Sequence, residues 1–333
     1  MKLNLPRFAF PISLFGTAVG VAVLVKDASQ GTKYEKDTKL SGRTVIVTGA
    51  NSGIGKATAL ELAKRGGRVI LACRDLQSAD KVREEIIEES FNPNVAIKHL
   101  DLVSLQSIAD FAKDINSSER RLDVLVNNAG VMNIGRKRQV TSDGFELHLG
   151  VNFLGPFLLT LLLLPKLQES KPARVVNVTT VSMNKASIDF DDFNGSKDYD
   201  PYMAYPRSKL ALMSFTEQFS QRFQETGVTA YAVYPGVTQS RLARGMANSR
   251  ISSSLFKPST IFMRRADSAA QTILYCCLEP GVEKFSGLCL KDMKPMDTKF
   301  VDPKDATRLW NIAHVWTCLE KLKQSFTNPG AVS

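Results

Sequence analysis

Apolar, β-branched segments alternate with stretches of helical periodicity through most of the chain, and this alternation limits the fold more than any other feature. Strands are predicted at Thr44–Thr48, Arg68–Ala72, Val95–Leu100, Leu122–Val126, Arg174–Val178 and Val228–Val233. Amphipathic stretches such as Gly55–Lys64, Ser78–Ser90 and Leu105–Asn116 lie between them. Strands that alternate with helices form a parallel sheet, and uniformly apolar strands are typical of sheets covered on both faces. The sequence therefore predicts one doubly wound α/β domain.

An 18-residue stretch without charge, Phe8–Val25, precedes this region. As a helix it would span about 27 Å, barely the hydrocarbon core of a bilayer. Lysines lie on both sides of it, which leaves its orientation undecided, and no convincing small-x-small cleavage site follows. An uncleaved membrane anchor helix is the favoured interpretation, with a cleaved or organelle-targeting segment and a soluble surface helix as alternatives. A second apolar run, Phe157–Leu164, is too short to span and is predicted as a buried helix face or a subunit contact.

The charge and the cysteine content exclude several classes of protein. The 333 residues carry 43 Lys and Arg against 33 Asp and Glu, a net charge of +10 that favours anionic partners. Nucleic acid is not expected, because no helix-turn-helix, zinc or aromatic RNA-binding motif accompanies the charge. The five cysteines form no C-x-x-C, and the three histidines lie far apart. A disulfide framework and a metal site are therefore not predicted.

Glycines follow the first predicted strand in the run Gly49-Ala-Asn-Ser-Gly53-Ile-Gly55, where a helix begins. Such a turn lets backbone approach a pyrophosphate, and the helix N-terminus offers unpaired N–H groups to the anion. The spacing is Gly-x-x-x-Gly-x-Gly and not the Gly-x-Gly-x-x-Gly of the general dinucleotide fingerprint. The position of the glycines between a strand and a helix is nevertheless the same. The turn predicts a dinucleotide site in a Rossmann-type sheet.

Arg74 and Asp75 follow the second predicted strand, at the position that lies beside the adenosine ribose in this topology. An acid there would accept a hydrogen bond from the 2′-OH of NAD, whereas an arginine would pair with the 2′-phosphate of NADP. Because the arginine comes first, NADP is the favoured cofactor. The alternative is a solvated Arg74 that pairs with Asp75 at the start of a helix.

Tyr205 and Lys209 lie four residues apart in a helix predicted to begin at Tyr205 and to run to about Arg222. Residues at this spacing share a helix face. A cation beside a phenol lowers the pKa of the phenol, which makes Tyr205 a candidate general acid/base for an alcohol and its carbonyl. Pro206 is tolerable only if this is the first helical turn.

Several further motifs stand in order around this pair: Asn127-Asn-Ala-Gly130, Asn152, Arg174–Thr180 and Tyr234-Pro-Gly-Val237. Together, over about residues 43–290, they resemble the short-chain dehydrogenase/reductase family. Other segments, such as Leu71-Ala-Cys-Arg-Asp75, resemble its membrane-anchored retinol dehydrogenase branch. The resemblance implies an NADP-dependent enzyme that interconverts an alcohol and its carbonyl, with retinol and retinaldehyde favoured. A steroid, lipid aldehyde or other lipophilic carbonyl is one alternative, and a catalytically silent cofactor-binding scaffold is another.

The resemblance also implies roles for single residues. Tyr205 exchanges the alcohol proton, Lys209 holds the nicotinamide ribose and lowers the pKa of Tyr205, and Asn152 anchors a relay water. Thr180 stands where the family usually has the serine that orients the substrate oxygen, and Ser182 is the alternative. The implied cofactor-binding residues are Gly49, Asn51, Ser52, Gly53, Ile54, Gly55, Arg74, Asp101, Asn128, Ala129, Gly130, Tyr205, Lys209, Pro235, Gly236, Val237 and Ser240.

The expected organisation is an anchor and linker over residues 1–40, the dehydrogenase domain over 41–300, and a C-terminal helix and tail over 301–333. Residues 241–265 hold six Lys and Arg and no acid, and are expected to form a substrate lid that faces an anionic membrane. The expected partners are a small lipophilic alcohol or aldehyde, a membrane and a second copy of the chain. The mitochondrial inner membrane is the favoured location, with the endoplasmic reticulum as the alternative.

Overall fold

The computed structural model describes Lys26 and residues 30–133, 135, 137–238, 263–298 and 301–327. The predicted anchor helix, Ser240 and nearly all of the predicted lid lie outside the described residues.

The described residues form an eight-stranded sheet in the order β3-β2-β1-β4-β5-β6-β7-β8. The strands are β1 (Thr44–Thr48), β2 (Arg68–Cys73), β3 (Val95–His99), β4 (Val124–Asn127), β5 (Ala173–Val178), β6 (Val228–Val233), β7 (Cys289–Lys291) and β8 (Lys294–Pro295). All neighbouring strands are parallel except β7 and β8. The strand order reverses between β1 and β4, and the carboxyl ends of strands at such a point enclose a crevice. The predicted doubly wound parallel sheet is confirmed.

Helices cover both faces of this sheet. They are α1 (Gly53–Lys64), α2 (Leu76–Ser90), α3 (Leu105–Ser118), α4 (Leu147–Glu169), α5 (Pro201–Phe223), α6 (Ala266–Leu278), α7 (Pro303–Trp316) and α8 (Leu319–Thr327). Alternate strand residues face opposite sides. Ile46 of β1 packs into the core beneath α3, α4, α5 and α7, whereas Val45 and Val47 pack into the core beneath α1, α2 and α6.

Helix α4 is the described helix that is long and apolar enough to cross a membrane, but 94% of its apolar window is buried inside the protein. The interpretation of Phe157–Leu164 as a buried helix face is confirmed. The helix continues beyond this run, through Pro165, to Glu169. Trp310 of α7 packs on it with ring centroids 5.2 Å from Phe157. The chain's own C-terminal helices thus cover this face.

Residues 30–40 pack against the domain on the side of α6. Tyr34 and Leu40 are 5% and 1% exposed. The Tyr34 N–H donates to Gln271 Oε1 over 2.9 Å, and Lys36 pairs with Glu279 over 2.6 Å. These contacts fix the chain before β1 begins.

Candidate active site

A single cleft of about 940 Å³ opens at the carboxyl edge of the sheet, where β1 and β4 diverge. The sequence-predicted residues that line it are Gly49, Asn51, Ser52, Gly53, Ile54, Arg74, Asp101, Asn128, Ala129, Gly130, Thr180, Ser182, Tyr205, Lys209, Pro235, Gly236 and Val237. Gly55 and Asn152 lie directly behind this lining. The cleft therefore gathers residues from every motif that the sequence analysis singled out, Ser240 excepted.

The glycine turn adopts backbone conformations that favour glycine. Gly49 and Gly53 have φ of +64° and +55°, in the left-handed region. A Cβ on Gly55 would lie 2.5 Å from the Gly49 carbonyl oxygen, so only glycine lets α1 pack this close to the turn. Ser52 precedes α1 without capping it through its side chain. The first N–H groups of α1 are thus not satisfied by that hydroxyl, which suits an anion at the helix end.

Thr48 ties the glycine turn to the neighbouring strand. Its Oγ1 accepts hydrogen bonds from the N–H groups of Asn128 and Ala129 at 3.0 and 2.9 Å, and Asn128 Nδ2 donates to the Thr48 carbonyl over 2.9 Å. Sequence reasoning quoted Thr48 in a motif but gave it no role. The signal for such a role was available: Thr48 is a polar residue at the end of the buried strand β1, and the neighbouring strand β4 ends at Asn127, just before Asn128.

Asp75 follows β2 at the edge of the cleft and is the N-cap of α2. Its carboxylate accepts from the Ser78 N–H over 3.1 Å and from the Ser78 hydroxyl over 2.5 Å. Arg74 is exposed and lines the cleft. The Asp75 carboxylate therefore caps α2, while Arg74 lines the cleft at the end of β2, where the sequence predicted the ribose.

Helix α5 begins at Pro201, four residues before the predicted start. The Asp200 side chain caps it by accepting from the N–H groups of Tyr202 and Met203 at 2.8 and 3.3 Å. The prediction that Tyr205 opens the helix is wrong, and Pro206 lies inside the helix rather than in its first turn. An N-cap aspartate followed by proline is a standard start signal, and it was overlooked. Tyr202, one turn before Tyr205, also lines the cleft.

Lys209 is buried and Tyr205 is half-buried, and removal from water displaces the pKa of each. It raises the pKa of Tyr205 to about 12 and lowers the pKa of Lys209 to about 8. In each case removal from water disfavours the charged form. Lys209 Nζ donates to the Val178 carbonyl over 2.8 Å. The pKa of Tyr205 in the protein alone therefore moves opposite to the expected direction, because desolvation governs it.

Asn152 holds the backbone that follows the Asn127–Gly130 run. It is fully buried within a π-helical turn of α4, Gly150–Leu154, a feature often found at functional sites. Its Oδ1 accepts from the Val131 N–H over 2.8 Å and its Nδ2 donates to the Val131 carbonyl over 2.9 Å. A Cβ on Gly130 would lie 3.1 Å from Asn152 Oδ1 and 3.5 Å from Lys209 Nζ. Asn152 and Lys209 thus flank Gly130.

Thr180 and Ser182 lie side by side where β5 ends in the short helical turn Val181–Lys185. The Ser182 N–H and hydroxyl lie 3.5 and 3.4 Å from Thr180 Oγ1. Both side chains line the cleft. The structure brings both candidate hydroxyls to the same wall.

Arg264 supports the opposite wall, formed by Pro235–Val237. Gly236 has φ of +87° and packs directly on the Arg264 side chain, because a Cβ there would lie 2.6 Å from Arg264 Cδ. Arg264 is 8% exposed and pairs with Asp292 over 2.8 Å, and its N–H donates to the Val237 carbonyl over 2.8 Å. The sequence counted Arg264 among the membrane-facing charges of the lid. That prediction is wrong for this residue, whose burial beside a carboxylate was not readable from sequence.

A nucleotide-type glycine turn, a parallel sheet and a Tyr–Lys pair on one helix, all at one cleft, define a dehydrogenase of the short-chain class. The model of the short chain dehydrogenase family matches residues 43–250, and the chain belongs to this family of oxidoreductases, whose fold binds a nicotinamide cofactor. The residues that carry the Gly-x-x-x-Gly-x-Gly turn and the Tyr-x-x-x-Lys pair all lie within the matched region.

Among curated proteins, the chain is similar to retinol dehydrogenases. It is 44% identical to retinol dehydrogenase 13 of Mus musculus over 310 residues, which cover 91% of this chain and 92% of that protein. Retinol dehydrogenase 12 of Homo sapiens is 43% identical over 303 residues, covering 90% and 94%. The predicted resemblance to the retinol dehydrogenase branch is confirmed.

Solved structures share the fold. An uncharacterized protein from Mycobacterium paratuberculosis is 31% identical with a TM-score of 0.66, over 86% of this chain and 98% of that one. A short chain dehydrogenase from Escherichia coli CFT073, complexed with NADPH, has a TM-score of 0.62 at 22% identity, over 78% of this chain and 100% of that one.

Proposed function

We propose that this protein is an NADP-dependent oxidoreductase that interconverts retinol and retinaldehyde, with Tyr205 as general acid/base. The observation that carries the proposal is the placement of a buried Lys209 and a half-buried Tyr205 on one helix, in the same cleft as the glycine turn. A surface helix would have no reason to bury an ammonium beside a phenol, because burial of a lysine is unfavourable. Perturbed titratable groups in a cleft are a mark of catalytic sites.

The residues of the cleft fit a dinucleotide. Its volume of about 940 Å³ lies near the upper end of the roughly 300–1,000 Å³ usual for ligand sites. The uncapped start of α1 suits the pyrophosphate. NADP is proposed over NAD because Asp75 is engaged by Ser78 whereas Arg74 faces the cleft, and an arginine there pairs with a 2′-phosphate.

The bound nicotinamide supplies the hydride chemistry. Tyr205 gives a proton to the substrate oxygen during carbonyl reduction and takes it back during alcohol oxidation. Thr180 donates a hydrogen bond to that oxygen, with Ser182 as the alternative. Lys209 would hold the ribose hydroxyls and favour the phenolate of Tyr205. Asn152, through Val131, holds the wall of the cleft that would face the nicotinamide.

Retinoids are the proposed substrates because the named relatives are retinol dehydrogenases and the cleft is lined by apolar side chains such as Met132, Val181 and Met263. We also propose that the enzyme is anchored to a membrane through residues 1–40, since a lipophilic alcohol partitions into the bilayer. The proposed location is the mitochondrial inner membrane.

Residues 41–300 form the proposed dehydrogenase domain. Association with a second copy of the chain stays a prediction.

The test is NADPH oxidation by all-trans-retinaldehyde, with wild type compared with Tyr205→Phe. We expect the substitution to lower turnover by about 10²- to 10⁴-fold, the usual contribution of a positioned acid/base. Tyr275→Phe is the matched control, because it removes a hydroxyl from α6 outside the cleft lining. Equal turnover in wild type and Tyr205→Phe would contradict the acid/base assignment.

The same assay with steroid and lipid aldehyde substrates, and with NADH in place of NADPH, tests substrate and cofactor. Faster turnover of a steroid or lipid aldehyde than of retinaldehyde would favour the alternative substrates. NADPH binding without turnover of any carbonyl would favour a silent scaffold. Thr180→Ala and Ser182→Ala, compared side by side, identify which hydroxyl orients the substrate oxygen.

A further inference from the structure

A buried histidine, His148, lies on α4 where this helix contacts α5, the helix of Tyr205 and Lys209. Its two ring nitrogens have different partners. His148 is 1% exposed. Its Nε2 lies 2.9 Å from the backbone N–H of Asn133 and can only accept that hydrogen bond. The ring proton therefore sits on Nδ1, which donates to Glu146 Oε1 over 2.7 Å. The imidazole is neutral, with one tautomer and one orientation.

Glu146 holds this arrangement from the other side. It is 4% exposed, and its second oxygen accepts from the Leu149 N–H over 2.9 Å. Burial raises the pKa of Glu146, whereas its hydrogen bonds with His148 and Leu149 lower it. The Tyr199 hydroxyl donates to the same carboxylate over 3.4 Å. The acceptor that orients His148 is thus a fixed carboxylate.

His148 and Asn152 hold one stretch of the cleft wall. The two side chains lie four residues apart on α4 and bind alternate N–H groups, those of Asn133 and Val131. Val131 and Asn133 both line the cleft. The imidazole edge also meets the ring of Tyr205, with centroids 6.1 Å apart and planes at 73°.

We propose that His148, oriented by Glu146, is a positioning residue of the active site, which fixes the Tyr205 ring and the backbone of Asn133. The proposal rests on the proposed function, since it assigns Tyr205 the acid/base role. His148 touches neither the substrate nor the cofactor. It acts through the two groups that it holds in place.

Two substitutions separate the hydrogen bonds of His148. His148→Gln keeps an acceptor near the Nε2 position, and His148→Asn keeps a donor near Nδ1 but loses the contact with Asn133. We expect His148→Asn to lower kcat by about tenfold, the effect of one lost hydrogen bond, with KM for NADPH within about twofold of wild type. His148→Gln is expected to restore kcat to within about threefold. His314→Asn is the matched control, because His314 also pairs with a glutamate, Glu320 at 3.1 Å, but is exposed on α7.

A readout without substrate keeps this proposal separate from the proposed function. The protein is labelled at the ring ζ-carbon of its seven tyrosines, and Tyr205→Phe assigns the Tyr205 signal in the ¹³C spectrum. We expect His148→Asn to shift this signal, His148→Gln to shift it less, and His314→Asn to leave it in place. These shifts would support the positioning role even if retinaldehyde proves not to be the substrate.

The role is wrong if the Tyr205 signal and kcat are unchanged in folded His148→Asn, or if His148→Gln is impaired as much as His148→Asn. Should His148→Asn fail to fold, Glu146→Gln tests the same orientation without leaving a buried charge. It places an amide N–H against either Leu149 or His148, so a shifted Tyr205 signal supports the role and an unchanged one overturns it.

Discussion

The two sides of the cleft are built differently. On the side of the glycine turn, the end of β1 and the start of α2 are closed by side chains that accept hydrogen bonds, Thr48 from Asn128 and Asp75 from Ser78. On the side of α5, Lys209 is buried and Tyr205 half-buried, and removal from water shifts the pKa of each so that the neutral form is favoured. The first arrangement stabilises the fold, whereas the second destabilises it in exchange for reactivity, a common division in enzymes.

Replacement of Lys209 by methionine should change stability and turnover in opposite directions, and it should have the largest effect of the variants considered. Turnover should fall by about 10³-fold, because the residue that holds the ribose and the phenolate is gone. The free energy of unfolding at pH 7 should nevertheless rise by about 1–2 kcal/mol, because a buried cation is removed.

The pH dependence of stability checks whether the burial of the Lys209 cation causes this difference in the free energy of unfolding. The pKa of Lys209 in the folded protein is about 8, below its ordinary 10.5, so only the unfolded chain binds this proton between those values. Wild-type stability from this group therefore rises as the pH increases from about 8 to 10.5, and Lys209→Met should lack that rise in urea titrations. Lys81→Met, on the exposed side of α2, is the control. A less stable Lys209→Met protein at pH 7 would contradict the comparison.

Thr48→Val tests the nucleotide side. The substitution keeps the shape but leaves the Ala129 N–H without its acceptor and the Asn128 N–H with only the Val126 carbonyl, at a loss of about 1–3 kcal/mol. Thr58→Val, ten residues further on in α1, is the matched control, because the buried Thr58 hydroxyl has no hydrogen-bond partner among the described residues. Thermal and urea unfolding should show a large loss for the first variant and none for the second. Equal stability of the two would show that Thr48 does not close this strand end.

Arg74→Ala should have the smallest effect, confined to cofactor choice. We expect the KM for NADPH to rise about tenfold, since one charge-assisted contact to a phosphate is lost, with the KM for NADH and the stability unchanged. Lys81→Ala controls for the removal of a positive charge near α2. If the KM values for NADPH and NADH rise together, Arg74 does not select the 2′-phosphate.

Sequence reasoning located the central strands because continuous apolar runs leave little choice. The predicted bounds of β1 and β6 match the structure residue for residue. Those of β2, β3 and β5 differ by one residue at one end, and those of β4 by two residues at the start and one at the end. β7 and β8 were missed because three- and two-residue strands carry no periodic signal. The start of α5 was missed although Asp200-Pro201 announced it.

The site divides in the same way. Residues within linear motifs, such as Gly49, Tyr205 and Lys209, were singled out because their chemistry follows from local spacing. His148 and Arg264 were not, because their partners Asn133 and Asp292 lie 15 and 28 residues away. Which loops meet at the cleft depends on the order of the strands in the sheet, and a short sequence motif does not reveal that order. The roles assigned to the motif residues stay predictions until the variants are measured.

The packing of residues 30–40 has a practical consequence for anyone who trims this chain to make it soluble. A cut at residue 41 would remove Tyr34 and Leu40 from the hydrophobic core, together with the bond from Arg265 N–H to Gln30. Gly31 packs against Arg264 and Asp292, so the same cut would also unsettle the pair beneath Gly236. A truncation that begins before Gln30 keeps this brace, and the shortened enzyme keeps the wall on which its coenzyme would rest.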